Sequence, residues 1–452
     1  MALVLVCAFG LLLTSAGGAS RADLMAQAIV RAGAFVALAM VLLFQPIGVW
    51  RGARPVAWLL GATILLVGVQ LVPLPPALWQ ALPGRALFAE AAVLAGRPQP
   101  WRPLSLVPSA TVNALGSLSV PLAVFVLALG LRSRERQVLP TLVLAQISMV
   151  ALIAVLQASG FNIDVPLADL APGEVSGSFS NRNHFAVFMA LGSVIAPYWA
   201  LMHPGGLAWR APVAIGLVLV FLLLILASGS RVGLTAGSVA IVFAAVGTWR
   251  GLRAAAVRLP RWAAPALIGS ALLAVLGLTL VSVGARRAAS IERLATLSVG
   301  EDLRSRSFST ITQMISDYFP VGTGFGSFDP IFRLHEPDRL LRLTYLNHAH
   351  NDVLEVVLDG GMAGALLLLC CLSWWAFASV QAWRRPALGN LAQPGSVMVL
   401  VLLIASLFDY PLRTPLMMEI LIVAALWLAT SKAPIDPSST RTRRSAPPRP
   451  LP

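Results

Sequence analysis

Residues 211–228 read APVAIGLVLVFLLLILAS, eighteen positions without an ionisable side chain. A helix rises about 1.5 Å per residue, so this run reaches across nearly all of the ~30 Å hydrocarbon layer of a bilayer. Ser228-Gly229-Ser230-Arg231 interrupts it, and a second apolar run continues to about residue 248. The same alternation of long apolar run and polar break recurs along the chain. Of its 452 residues, 58% are hydrophobic and 12% are charged, with a mean hydropathy of +0.81. A soluble domain carries about 25% charged residues. At half that density the chain has too little polar surface to coat a soluble core. The fold class is therefore read as all-α, a polytopic integral membrane protein.

Twelve transmembrane helices are expected, at approximately 2–18, 24–46, 55–73, 112–131, 138–158, 183–202, 211–228, 231–248, 263–283, 355–382, 395–410 and 412–430. Pro411 separates the last two. With the N-terminus cytoplasmic, the short inner loops carry Arg51 and Arg54; Arg132, Arg134 and Arg136; Arg210; Arg250, Arg253, Arg258 and Arg261; and Arg384 and Arg385. This is the bias of the positive-inside rule, and it places both termini on the cytoplasmic side. The long loops, 74–111, 159–182 and 284–354, all fall outside. The net charge of +14 is spread over these clusters and forms no single stripe, which argues against nucleic acid as a partner.

The chain reads as one transmembrane domain over 1–430 and a basic, Pro-rich tail over 431–452, expected to be disordered. Cys7, Cys370 and Cys371 lie inside apolar runs and have neither a disulfide framework nor metal-ligand spacing. The first eighteen residues lack a basic leader and a clear cleavage site, so they read as a first span.

The polar residues that topology does not explain collect on the outer side. Gly177-Ser178-Phe179-Ser180-Asn181-Arg182-Asn183-His184 stands at the mouth of the sixth span, and Arg231 opens the eighth. The largest loop carries Arg286, Arg287, Arg293, Arg304 and Arg306, then Gly322-Thr323-Gly324-Phe325-Gly326, then Asn347-His348-Ala349-His350-Asn351-Asp352. Asp409 and Arg413 lie on the last outer hairpin. Arginine in hydrocarbon is costly, and its planar fork matches phosphate, so arginines converging at membrane level suit a lipid-linked diphosphate. Each lone arginine has the alternative of snorkelling to the interface, and Arg31 in the second span is open between the two. Asn181 and Asn183 have the alternative of capping a helix. His350, close to the start of the tenth span, sits where a helix N-terminus helps keep an imidazole neutral and able to accept a proton. The glycine run lacks the Lys-Ser/Thr of a P-loop, and a His-x-His pair without a third ligand is thin support for a metal.

In order and spacing these segments resemble the O-antigen ligase and O-antigen polymerase family of bacterial membrane glycosyltransferases. The matching pieces are residues 177–183, residues 228–231, Arg304 with residues 322–328, and residues 348–354 running into Glu355 and Gly360-Gly361. Residues 103–108 and Asp409-Tyr410-Pro411-Leu412 are also similar, so the ligase-like core covers about 100–415. The resemblance implies a GT-C-like helical body with a large periplasmic loop, 284–354, between spans nine and ten. It implies an inverting, metal-independent transfer without a cofactor, on the periplasmic face of the bacterial inner membrane. The donor would be a glycan on undecaprenyl diphosphate, and the acceptor a glycan or lipid A–core. Carried over by residue, His350 would be the base, with His348 its competitor; Asn351 and Leu354 follow His350 in the family's spacing and favour it. Arg231 and Arg304 would hold the diphosphate. Asn181, Asn183 and Asn351 would position sugar or diphosphate oxygens, with Arg182 in the same substrate-binding set. Glu355 would either orient a histidine or serve as a helix N-terminal acid.

Ligase chemistry is the first expectation. A polymerase of O-antigen or exopolysaccharide and a protein O-oligosaccharyltransferase share the donor and differ in acceptor. A transporter of anionic lipid is the reading from another class. It calls for paired ionisable residues at the bilayer midplane and repeated halves, whereas spans three to nine have almost no charge in their centres.

Overall fold

The computed structural model describes residues 1–45, 51–161, 174–202, 207–256, 299–341, 346–384 and 391–430, with the single positions 48, 165, 167, 170 and 269. In chain order the helices are α1 (Ala2–Ala16), α2 (Met25–Phe44), α3 (Arg54–Val69), α4 (Pro76–Gln80), α5 (Ala86–Leu94), α6 (Pro108–Ser117), α7 (Ser119–Gly130), α8 (Ser133–Arg136) and α9 (Leu139–Ala158). They continue as α10 (Arg182–Leu201), α11 (Leu207–Ser228), α12 (Arg231–Ala256), α13 (Val299–Tyr318), α14 (Phe328–His335), α15 (Asp352–Arg384), α16 (Ala392–Ser406) and α17 (Pro415–Ala429). The sheet content is one antiparallel pair of two-residue strands, β1 (Pro73–Leu74) and β2 (Arg102–Pro103).

Among the described residues, seven helical segments are long and apolar enough to cross a membrane. They include Met25–Phe44, Pro108–Gly130, Arg182–Leu201 and Asp352–Arg384; α1, α3, α16 and α17 are apolar but shorter. Together these coincide with eleven of the twelve expected spans. The remaining one, 263–283, lies outside the described residues apart from position 269, as do 284–298, 342–345 and the tail 431–452. Several boundaries differ from expectation. The fourth span is two helices, because Pro121 has no N–H to give the carbonyl of Ser117, where α6 ends. The eighth runs on to Ala256. The last begins at Pro415, after a 3-10 turn over Pro411–Arg413. The segment 284–354, read from the sequence as a loop, holds a helix of twenty residues, α13.

The bundle is built around α10, which is buried on nearly every side. It packs against α9, α11, α12 and α16. Its small residues, Ala186, Ala190, Gly192, Ser193 and Ala196, let neighbouring backbones approach. At Gly192 a Cβ would stand 2.6 Å from Phe221 on α11 and 2.8 Å from Ile147 on α9.

α15 is broken near its N-terminal end. Gly361 leaves helical geometry at φ 56° and ψ −143°. The break frees backbone groups that hydrocarbon cannot satisfy, and the glycine-rich run takes them. Thr323 donates to the Leu358 carbonyl at 3.0 Å, Gly324 to the Asp359 carbonyl at 2.9 Å, and Met362 to the Pro320 carbonyl at 2.8 Å. Gln70, at the C-terminal cap of α3, ties both sides, giving its amide N–H to the Asp359 carbonyl and accepting from Phe325 N–H. The Gly322–Gly326 run is thus a plug that holds the first turns of α15 in place.

Gly361→Ala is expected to destabilise the protein. The added Cβ meets left-handed strain of about 1–3 kcal/mol and collides with the Pro320–Val321 backbone. Thermal unfolding of the purified protein in detergent should show a lower midpoint. Gly216→Ala, inside α11 with no atom within 4 Å of its Cβ, should not lower the midpoint and, by helix propensity, should raise it slightly.

Candidate functional site

One end of the bundle gathers the termini of α1, α10, α12, α15, α16 and α17. Backbone bonds stitch them together: Ser180 N–H to the Gly18 carbonyl and Leu416 N–H to the Gly17 carbonyl. In the turn between α16 and α17 sits Asp409, 1% exposed. A buried carboxylate needs donors on all sides, and here they come from its own turn, the head of α10 and the segment before α15. Asn183 Nδ2 donates to Oδ2 at 2.6 Å and Asn181 Nδ2 at 3.4 Å. Oδ1 accepts from Tyr410 N–H at 3.0 Å and faces His350 Nδ1 at 3.0 Å. His184 Nε2 lies 3.7 Å from the same oxygen. Burial alone would raise the Asp409 carboxyl; the hydrogen bonds from His184 and His350 outweigh it and hold the group well below the ordinary carboxylate range. An ionised Asp409 can only accept, so it places the proton of His350 on Nδ1 and leaves Nε2 as an acceptor.

The asparagines do two jobs. Asn181 caps α10, its Oδ1 accepting from Asn183 N–H at 2.8 Å. Asn183 Oδ1 accepts from Ser230 Oγ at 2.7 Å, and that hydroxyl accepts from Gly233 N–H at 2.9 Å. The start of α12, and with it Arg231, is therefore tied to the residue that holds Asp409.

A second histidine–carboxylate pair lies alongside. His348 Nδ1 is 2.8 Å from Glu355 Oε1, and Glu355 Oε2 accepts from Ala349 N–H at 2.9 Å. Arg413 joins this pair to Asp352, with Nη2 3.3 Å from Glu355 and Nε 3.3 Å from Asp352. Ser406 Oγ donates to the other Asp352 oxygen at 2.8 Å. Burial opposes the charge on Arg413, but the surrounding Glu355, Asp352 and Asp359 push its pKa above the usual value. The ring of Tyr410 stands among three imidazoles, with centroids 4.4 Å from His348, 4.8 Å from His350 and 5.0 Å from His184.

His350 itself has φ 49°, the one non-glycine in the left-handed region among the described residues. Such a conformation persists only where neighbours hold it. Ala349 is tethered to Glu355, and Asn351 caps α15 by accepting from Leu354 N–H at 3.0 Å while donating to the Leu407 carbonyl at 2.9 Å. The held ring opens on a cavity of about 560 Å³, walled also by Arg231, Asn351, Phe308, Ile311 and Phe408.

The structure thus brings together His350, Asn351 and Arg231 at one cavity, with Asn181 and Asn183 behind Asp409. His348 and Glu355 form a neighbouring pair. Arg182 instead lies 3.7 Å from Glu174. Arg304 falls on α13 one turn before Phe308, and its side chain lies outside the described residues; Arg286, Arg287 and Arg293 lie outside them altogether. Asp409 carried no assigned role from sequence, nor did Tyr410 or His184. Their signal was weak: a polar turn between two short apolar runs. Among the described residues no group of three or more His, Cys, Asp or Glu is placed to hold a metal ion.

Residues 215–369 match the family model described as O-Antigen ligase. That stretch includes Arg231, Arg304, His348, His350, Asn351 and Glu355, and stops short of Asn181, Asn183 and Asp409. No curated protein matches the chain.

Asp409 makes the stability depend on pH in a definite sense. A carboxyl depressed by folding contributes fully above its unfolded value of about 3.9, and the contribution is lost as pH falls through the folded value. Asp409→Asn should remove that contribution and cost about 1.5–3 kcal/mol at neutral pH, the worth of a hydrogen bond to a charged group. Denaturant unfolding at neutral and acid pH measures both.

Proposed function

We propose that this chain, which carries an O-antigen ligase domain, transfers a glycan from undecaprenyl diphosphate to a hydroxyl of lipid A–core. The reaction takes place on the periplasmic face of the bacterial inner membrane, both termini being cytoplasmic. The observation that carries the reading is the His350–Asp409 pair, set in the wall of a cavity that Arg231 also lines.

The acceptor hydroxyl gives its proton to His350 Nε2, and its oxygen bonds to the anomeric carbon of the donor sugar. The bond from that carbon to the diphosphate oxygen breaks on the opposite face, with inversion. Asp409 orients the ring and stabilises the imidazolium. Arg231, with Arg304, takes the charge that develops on the departing diphosphate. Asn351, which also lines the cavity, would meet sugar or diphosphate oxygens with the amide N–H it does not give to Leu407. Both histidines have a carboxylate on Nδ1 and the Tyr410 ring beside them; His350 is favoured because it lines the cavity and His348 does not.

The test is complementation of the source organism's own deletion strain, read as lipopolysaccharide on a gel. Wild type should restore the long ladder on lipid A–core. His350→Ala, at equal membrane abundance, should lower transfer by about 10²–10⁴-fold, and Arg231→Ala by about 10²–10³-fold. A deletion strain that keeps one repeat on its core would instead identify a polymerase. An unchanged glycan throughout would remove the glycosyltransferase reading.

A further inference from the structure

Between α1, α7, α9 and α17 lies a second cavity, of about 250 Å³. It shares no lining residue with the larger one. Its walls are apolar, among them Phe9, Leu127, Leu142 and Val423. Two lining side chains, Leu11 and Met149, are 57% and 45% exposed on the outside of the bundle. The cavity therefore opens sideways, where a membrane protein meets lipid.

One acidic side chain lines it. Glu419, near the start of α17, is 8% exposed. Its Oε2 accepts from Gln146 Nε2 at 2.8 Å, and the same nitrogen reaches the Gly10 carbonyl at 3.0 Å. Oε1 has no hydrogen-bond partner among the described residues, and no lysine, arginine or histidine lines the cavity. Gly10 also faces this oxygen: a Cβ there would stand 3.7 Å from it, in ordinary van der Waals contact. An ionisable group inside a membrane domain marks a functional site by default, and an apolar pocket with one placed polar group is the usual form of a small-ligand site.

We propose that this cavity binds a single-chain amphiphile. Its hydrocarbon chain occupies the apolar walls, and a hydroxyl or ammonium head donates a hydrogen bond to Glu419 Oε1. The site is separate from the glycan-transfer reading and stands or falls without it. A plain alkyl chain entering from the bilayer would fill the same walls and leave Oε1 buried and unpaired, which disfavours it.

The experiment uses the full chain in lipid nanodiscs and the lipophilic reagent dicyclohexylcarbodiimide, with modification of Glu419 mapped by peptide mass spectrometry. Dodecylamine and dodecanol are the probes and dodecane is the control. Either probe, at about ten times its dissociation constant, should slow modification roughly tenfold, and dodecane should not. Native mass spectrometry of variants separates the two heads. Glu419→Gln keeps an acceptor and should keep dodecanol while losing dodecylamine; Glu419→Leu should lose both. Equal protection by dodecane, absence of modification in the wild type, or unchanged binding by Glu419→Leu would each overturn the proposal.

Discussion

One end of this bundle is organised by one buried carboxylate. Asp409 lies where an ion has almost no water to solvate it, so its charge persists only if the protein supplies donors. Those donors stand on segments far apart in sequence: Asn181 and Asn183 at the head of α10, and His350 before α15. Satisfying one side chain therefore brings three helix termini to a common point. Ser230 extends the network to α12 through Asn183, which carries Arg231 to the same cavity.

The second constraint is the backbone of α15. A helix broken at Gly361 inside an apolar bundle must find new partners for its carbonyls. The Gly322–Gly326 run provides them, and its three glycines, all at positive φ, allow its N–H groups to face the break. Rigidity there has a consequence one turn and more away. His350 keeps a left-handed backbone because Glu355 and Asn351, on the first turn of α15 and just before it, hold the chain on either side. A plug that resembled a phosphate loop in composition is thus a brace for the histidine.

Much of the body was legible because hydrocarbon imposes a simple rule. Runs such as Ala211–Ser228 have one stable backbone form in lipid, and eleven described helices fall where apolar runs predicted them. The misplacements have local causes: Pro121 divides the fourth span, and Pro411 and Pro415 delay the last. The segment before α15 was harder, since α13 has mixed polarity and its helix does not announce itself by hydropathy. At the site, His350, Arg231 and Asn351 were legible as polar residues at the mouths of apolar helices. The role of Asp409 was not, because nothing local to Leu407–Leu412 shows that two asparagines more than two hundred residues upstream need its oxygens.

The sequence by itself determined the helical membrane architecture and the polar segments that crowd one end of it. Both follow from local composition against a fixed solvent, which periodicity and length report directly. Only the tertiary structure decided which histidine meets which carboxylate, that Arg182 turns to Glu174, and that Glu419 faces a cavity. Those pairings depend on distances between helix ends set by packing around α10, and packing is a property of the whole chain.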